Sequence, residues 1–166
     1  MTASRRILMV CMGNICRSPT AEGVLRHKLK AAGLAGAFEV DSAGTHGHYH
    51  AGEPPDARAL KHAAARGYDL SRLRARRLVE ADYARFDWMF AMDEDNLAHM
   101  RQGVPKGGVA RLELLMSHAT RFAGVREIPD PYYGPPAGFD EVLDLVEDAC
   151  DGLVARLARE AGEGTS

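Results

Sequence analysis

The sequence predicts a single-domain α/β fold, with four strands in a parallel sheet and helices on both faces. Three observations predict it. Short apolar runs rich in Ile, Val, Phe and Met stand at residues 6–10, 38–41, 87–92 and 109–115, punctuated by Gly, Asn, Asp or Ser. Helical periodicity fills the stretches at 18–32, 56–66 and from 139 onward. Strands that alternate with helices bury both faces of a sheet when they run parallel. No repeat, low-complexity tract or composition break divides the 166 residues, so one domain is expected over 1–166, with a frayed tail at 163–166.

Taken in order, residues 6–10 read as a buried strand ending at Cys11. A loop follows with Gly13 and Asn14, the two residue types that best tolerate positive φ. Ser18 suits an N-cap and Pro19 the first helical position. Ala21, Val24, Leu25, Leu29 and Ala32 then share one face, and Gly33 stops the helix. The second strand, 38–41, ends at Ser42-Ala43-Gly44. Residues 45–55 form a loop in which His46, His48 and His50 alternate. Without an accompanying Cys or carboxylate cluster these histidines are expected in solvent rather than on a metal. Asp56 caps a helix to about Arg66, which Gly67 ends. The basic run at 72–77 reads as a solvated connection, with an acidic partner as the sharper alternative. The third strand leads into Asp93-Glu94-Asp95 at a helix start, where the dipole favours acids. Gly107-Gly108 precedes the fourth. Residues 117–138 form a loop whose length and prolines point to function. Phe139, Val142, Leu143, Val146, Ala149, Cys150, Leu153 and Leu157 place the last helix.

Bulk composition narrows the function classes. A formal charge of −2 gives no ground for nucleic acid or a membrane surface. Three cysteines do not make a secreted disulfide framework, so a cytoplasmic setting is expected. Residues 4–10 have the outline of a signal peptide, but the apolar run is too short and Arg17 stands where cleavage would fall. No stretch has the length of a membrane span. Nothing in the sequence reports the oligomeric state, and a monomer is the default.

The chemistry concentrates at Cys11-Met12-Gly13-Asn14-Ile15-Cys16-Arg17-Ser18-Pro19. Here a thiol, a run of backbone amides, a guanidinium and a helix N-terminus fall together. Amides of Met12, Gly13, Asn14, Ile15, Cys16 and Arg17, wrapped at a helix N-terminus, can hold a phosphate dianion. Arg17 can offer a fork to two of its oxygens. The same positive field is expected to favour the Cys11 thiolate, which can displace an ester oxygen from phosphorus. One carboxylic acid can protonate the leaving oxygen and later activate water. No metal or other cofactor is required, because Arg17 and the amides carry the charge. The spacing alone is weak, since Cys150 and Arg156 repeat it. That second pair lies within a helix, which puts the two residues on separated turns, and Cys150 reads as a core thiol.

The loop, together with Asp130-Pro131-Tyr132-Tyr133-Gly134 late in the chain, resembles the signature of the low-molecular-weight protein tyrosine phosphatases. Segments at 41–45, 52–56 and 92–96 resemble the family too. The resemblance implies a Rossmann/flavodoxin-like sheet of strand order 2-1-3-4 and hydrolysis of tyrosine-phosphorylated proteins. It implies Cys11 as nucleophile, Arg17 as phosphate clamp and Asp130 as acid then base. Ser18 would hydrogen-bond the thiolate and ease its departure. Tyr132 and Tyr133 would line the cleft mouth, with Tyr49 on the opposite wall, and Asn14 and Ser42 would support the loop. Many bacterial relatives carry, at the position of Leu73, a histidine that joins this support with a glutamate matching Glu22. Leu73 cannot hydrogen-bond, which leaves Glu22 to another partner, such as Arg72 or Arg74, or leaves the support weaker. Cys16 stands where relatives place an oxidation partner for the nucleophile, and a disulfide there would shield Cys11 reversibly. Packing beneath the loop is its plainer role.

Two rival activities share the fold. Arsenate reductases resolve their adduct with further cysteines downstream, and residues 73–92 contain none. Protein arginine phosphatases tend to carry threonine at the position of Ile15, and an apolar Ile15 favours an aryl phosphate.

Overall fold

In the computed structural model, which describes residues 5–163, the expected strands are β1 (Arg5–Cys11), β2 (Phe38–Gly44), β3 (Trp88–Ala91) and β4 (Arg111–Leu114). All pairings are parallel, as the sequence predicts, and the order is β2-β1-β3-β4, as the family resemblance implies. The helices are α1 (Arg17–Ala31), α2 (Ala57–Ala65), α3 (Asp82–Arg85), α4 (Glu94–Gln102) and α5 (Ala137–Glu163). The short α3 has no counterpart in the sequence reading, because four residues are too few to show a period. The frayed tail expected at 163–166 lies, past residue 163, outside the described residues.

Alternation along the central strands divides the core into two layers. Ile7 and Met9 of β1, with Trp88 and Phe90 of β3, pack against Leu25 and Leu29 of α1 and Val146 and Leu153 of α5. Leu8, Val10, Met89 and Ala91 face the other way, onto Tyr83, Phe86, Leu97 and Met100. Both central strands are therefore buried on two sides, and each enclosed Leu or Ile contributes about 1.5–3 kcal/mol. Cys150 is wholly buried on α5 in the first layer, where burial pushes its thiol far up. It is the core thiol expected.

The chain order places a crevice at one point. It leaves β1 for β2 on one side and returns to β3 on the other, so the carboxyl ends of β1 and β3 diverge there. Cys11 ends β1, and Asp93 follows β3. A cavity of about 570 Å³ elsewhere opens at the amino ends of the strands, beside Arg6, Phe38 and Phe86. It is lined by no thiol, hydroxyl or imidazole, whereas the crevice has all three at hand.

Candidate active site

The turn from β1 into α1 differs from the expected capped helix start. The helix begins at Arg17, with Cys16 at the N-cap and no side chain capping it. Ser18 is thus inside the first turn rather than at the N-cap, and its hydroxyl points back to the loop. Ser18 Oγ lies 3.0 Å from Cys11 Sγ. The uncapped first-turn amides remain available to an anion. Asn14 makes the tight turn possible as the one non-glycine residue at positive φ (58°) among the described residues. Three hydrogen bonds offset the strain: Asn14 Nδ2 donates to Ser18 Oγ (2.8 Å) and Ser42 Oγ (3.0 Å), and Oδ1 accepts from Arg76 N (2.9 Å).

Arg17 is nearly wholly buried behind the loop. Its Nη1 donates to Asp93 (2.6 Å) and to the Ile128 carbonyl (2.9 Å), while Nη2 lies 3.8 Å from Asp130. Burial opposes its charge, but Cys11, Asp93 and Asp130 more than offset that, so Arg17 stays protonated. Nη1 is committed to the protein, and Nε and Nη2 are left for an incoming anion.

Asp130 reaches the site because the long loop is tied down at two points. Ile128, fully buried, donates its N–H to Met92 O at the end of β3 (2.9 Å) and accepts from Arg17. Asp148 on α5 accepts from the amides of Thr120, Arg121 and Phe122. The resulting cleft, of about 530 Å³, has Cys11 and Arg17 in its floor, with Met12, Gly13, Ile15 and Cys16 around them. Tyr49, Tyr132, Tyr133 and Asp130 form the mouth. Of the residues expected around the phosphate, Asn14 does not line the cleft, because its backbone turns at positive φ and its side chain faces inward; with Ser18 and Ser42 it stands behind the loop in support. Burial pushes the Cys16 thiol far up, with the Asp56 charge adding to it, so Cys16 rests as a neutral thiol. Cys11 and Cys16 are both buried and unbridged.

The surroundings correct three expectations. Glu22 does not turn to Arg72 or Arg74. It accepts from Ser42 Oγ (2.7 Å) and pairs with Arg26 one helical turn on (2.7 Å), while Arg74 bonds the carbonyls of Ser71 and Leu73. Burial drives the Glu22 pKa up to about 7 against the pull of Arg26 and Ser42. The basic run at 72–77 is not merely solvated. Arg76 pairs with Asp41 and Asp82 (3.1 Å each), which brings its amide to Asn14. Of the three alternating histidines, only His48 is exposed. His46 packs on His99 and accompanies Tyr49 and His50 in the cleft wall. The loop comes this close because Gly44 and Gly47 lack side chains. A Cβ on Gly44 would stand 2.6 Å from Met12 O, and one on Gly47 2.2 Å from Arg76 O.

Asp93, His46 and His50 were not expected as site residues. The acids after β3 were legible as favourable charges at a helix start, and Asp93 also caps that helix, accepting from Asn96 N (2.7 Å). Its second carboxylate oxygen serves Arg17, a pairing between residues 76 apart that no local pattern reports.

Comparison with known proteins points one way. The family model for low molecular weight phosphotyrosine protein phosphatase matches residues 6–163. A low molecular weight protein-tyrosine-phosphatase of Streptomyces coelicolor is 42% identical over 161 residues, covering 96% of each chain. A crystal structure of protein tyrosine phosphatase from Entamoeba histolytica superposes with a TM-score of 0.89 at 37% identity, covering 95% of this chain and 99% of that one. A drosophila arginine phosphatase superposes at 0.82 with 29% identity, covering 91% and 96%.

Proposed function

The chain belongs to the low-molecular-weight phosphotyrosine protein phosphatases, a family of hydrolases, and from that premise we propose that it hydrolyses phosphotyrosine in proteins through a phosphocysteine, without a metal. The observation that carries the reading is the meeting of Cys11, from the end of β1, and Asp130, from the late loop, around one buried guanidinium.

The loop amides and Arg17 hold three phosphate oxygens and neutralise their charge. The Cys11 thiolate attacks phosphorus, the S–P bond forms, and the P–O bond to the aryl group breaks. Asp130 gives its proton to the departing phenol oxygen. In the second half, water attacks the phosphocysteine, Asp130 takes the water's proton, and the S–P bond breaks. Ser18, 3.0 Å from Cys11 Sγ, donates to the sulfur as its charge returns. Asn14 supports that direction: its Nδ2 already donates to Ser18 Oγ, which leaves the hydroxyl proton for sulfur. The aryl ring would rest among Ile15, Tyr49, Tyr132 and Tyr133. A reducing cytoplasm suits the reading, since Cys11 must stay a thiol.

Turnover of one peptide sequence bearing phosphotyrosine, phosphoserine or phosphoarginine tests the substrate class. Phosphotyrosine is expected to lead by at least about tenfold in kcat/KM, and a phosphoarginine lead would move the chain to the other activity. Cys11→Ser is expected to abolish turnover while vanadate still binds. Loss of both would make the thiol a structural group.

A further inference from the structure

We infer that Arg58, outside the reacting groups, is a positioning residue that ties the Asp130 loop to the phosphate-binding loop. The inference rests on the acid role proposed for Asp130. Five contacts close a ring. Asp56 N donates to Ile15 O in the phosphate loop (2.8 Å). The Asp56 carboxylate accepts from Arg58 through both oxygens (3.1 and 3.0 Å). Arg58 Nη2 also donates to Tyr132 O (3.0 Å). Tyr132 N donates to Asp130 Oδ1 (3.0 Å). Asp130 Oδ2 then faces Arg17 Nη2 at 3.8 Å, back at the phosphate loop.

The backbone of Tyr132, two residues after Asp130, is therefore held from both sides. Its carbonyl accepts from Arg58, and its N–H sets the direction of the Asp130 carboxyl. The guanidinium itself is fixed by its neighbours. It lies 4.7 Å over the Phe139 ring and 5.6 Å from that of Tyr132. Phe139 packs with Ile15 and Cys16 beneath the phosphate loop, so the same strut leans on both sides of the cleft. Without it, Asp130 sits on a largely exposed stretch between the buried Ile128 and Pro131, neither of which sets the direction of its carboxyl. A carboxylic acid transfers its proton only from hydrogen-bond reach of the leaving oxygen, so a displaced loop costs rate in proportion to the need for that proton.

The test is the dependence of kcat/KM on the leaving group, across aryl phosphates from p-nitrophenyl to phenyl. Asp130→Asn is expected to lose about a hundredfold on phenyl phosphate and much less on p-nitrophenyl phosphate. Arg58→Ala is expected to lose about tenfold on phenyl phosphate and under about threefold on p-nitrophenyl phosphate, with vanadate affinity unchanged. In an Asp130→Asn background, Arg58→Ala is expected to add nothing. Arg58→Lys keeps the charge but cannot span Asp56 and Tyr132 together, and is expected to behave closer to Ala than to Arg. Equal losses on both leaving groups overturn the inference. So does an undiminished loss in the Asp130→Asn background, or full rescue by lysine, which would make charge the cause. If Asp130→Asn itself shows no leaving-group dependence, the acid role fails and the strut with it. If only Arg58→Ala lacks it, the acid role stands and the strut alone falls.

Discussion

Replacing Glu22 with glutamine should make the protein more stable at alkaline pH, although it removes a salt bridge. Glu22 is almost completely buried, and its pKa rises from the ordinary 4.5 to about 7. Desolvation is the main cause, and Arg26 and Ser42 recover only part of it. The folded state thus keeps the proton to about pH 7, whereas the unfolded chain releases it near 4.5. Between those values the unfolded state binds fewer protons, so stability is full below the lower one and is lost as pH rises through the upper. The whole shift corresponds to about 3 kcal/mol, of which about 2 kcal/mol is lost between about pH 5.5 and 8.5. Glutamine has no charge to bury, and its amide oxygen can still accept from Ser42 Oγ. The variant is expected to lead by about 1 kcal/mol at about pH 5.5. At about pH 8.5 it should lead by about 3 kcal/mol, or about 6–12 °C in Tm. Urea midpoints across this range measure it. Parallel curves for the two proteins would mean that the carboxylate is not paying for its burial, and the reasoning would fail.

Two further outcomes follow from the same contacts. Leu73→His is expected to change kcat/KM by less than about threefold, because both Glu22 oxygens are already taken by Ser42 and Arg26; a many-fold rise would show that the native support is deficient. Asp148→Asn is expected to cost about 1–3 kcal/mol at neutral pH, read from thermal melts, since one carboxylate collects the amides of Thr120, Arg121 and Phe122 and the Thr120 hydroxyl. Burial works against that carboxylate, but the bonds hold its pKa below the usual carboxylate range, so the cost should stay full at neutral pH and shrink only as pH falls below that range, through the depressed folded pKa, where the wild type protonates.

The parts of this molecule that were legible are those whose cause is local. The two central runs became strands buried on both faces because Ile7-Leu8-Met9-Val10 and Trp88-Met89-Phe90-Ala91 are apolar at every position, whereas the edge strands alternate apolar with charged residues, as in Phe38-Glu39-Val40-Asp41 and Arg111-Leu112-Glu113-Leu114. Asp56 caps α2 by accepting from Arg58 N, as a residue before a periodic stretch announces. Gly33 and Gly67 end their helices at positive φ. Ser18 misled because the same local rule applied to it. A serine before a proline reads as a cap, but its hydroxyl was drawn to Cys11 and Asn14, and the helix began two residues earlier, at Arg17.

What the sequence hid is the joinery between segments. Arg76 lay in a run that composition reads as solvent-facing, and only the fold brings Asp41 and Asp82 to either side of it. Arg58, Asp93 and Ile128 are similarly ordinary residues until loops distant in sequence meet. The two Cys-x5-Arg pairs make the point physically. On α5 the backbone amides between Cys150 and Arg156 are spent within the helix, and the thiol is sealed in apolar packing. Between Cys11 and Arg17 the chain is neither strand nor helix, so its amides stay free, and Asn14 accepts the backbone strain that lets them converge. Spacing supplies the groups in both places. Only where Ser42, Arg76 and Asp56 from other segments hold the turn open does it become a place where an anion can bind.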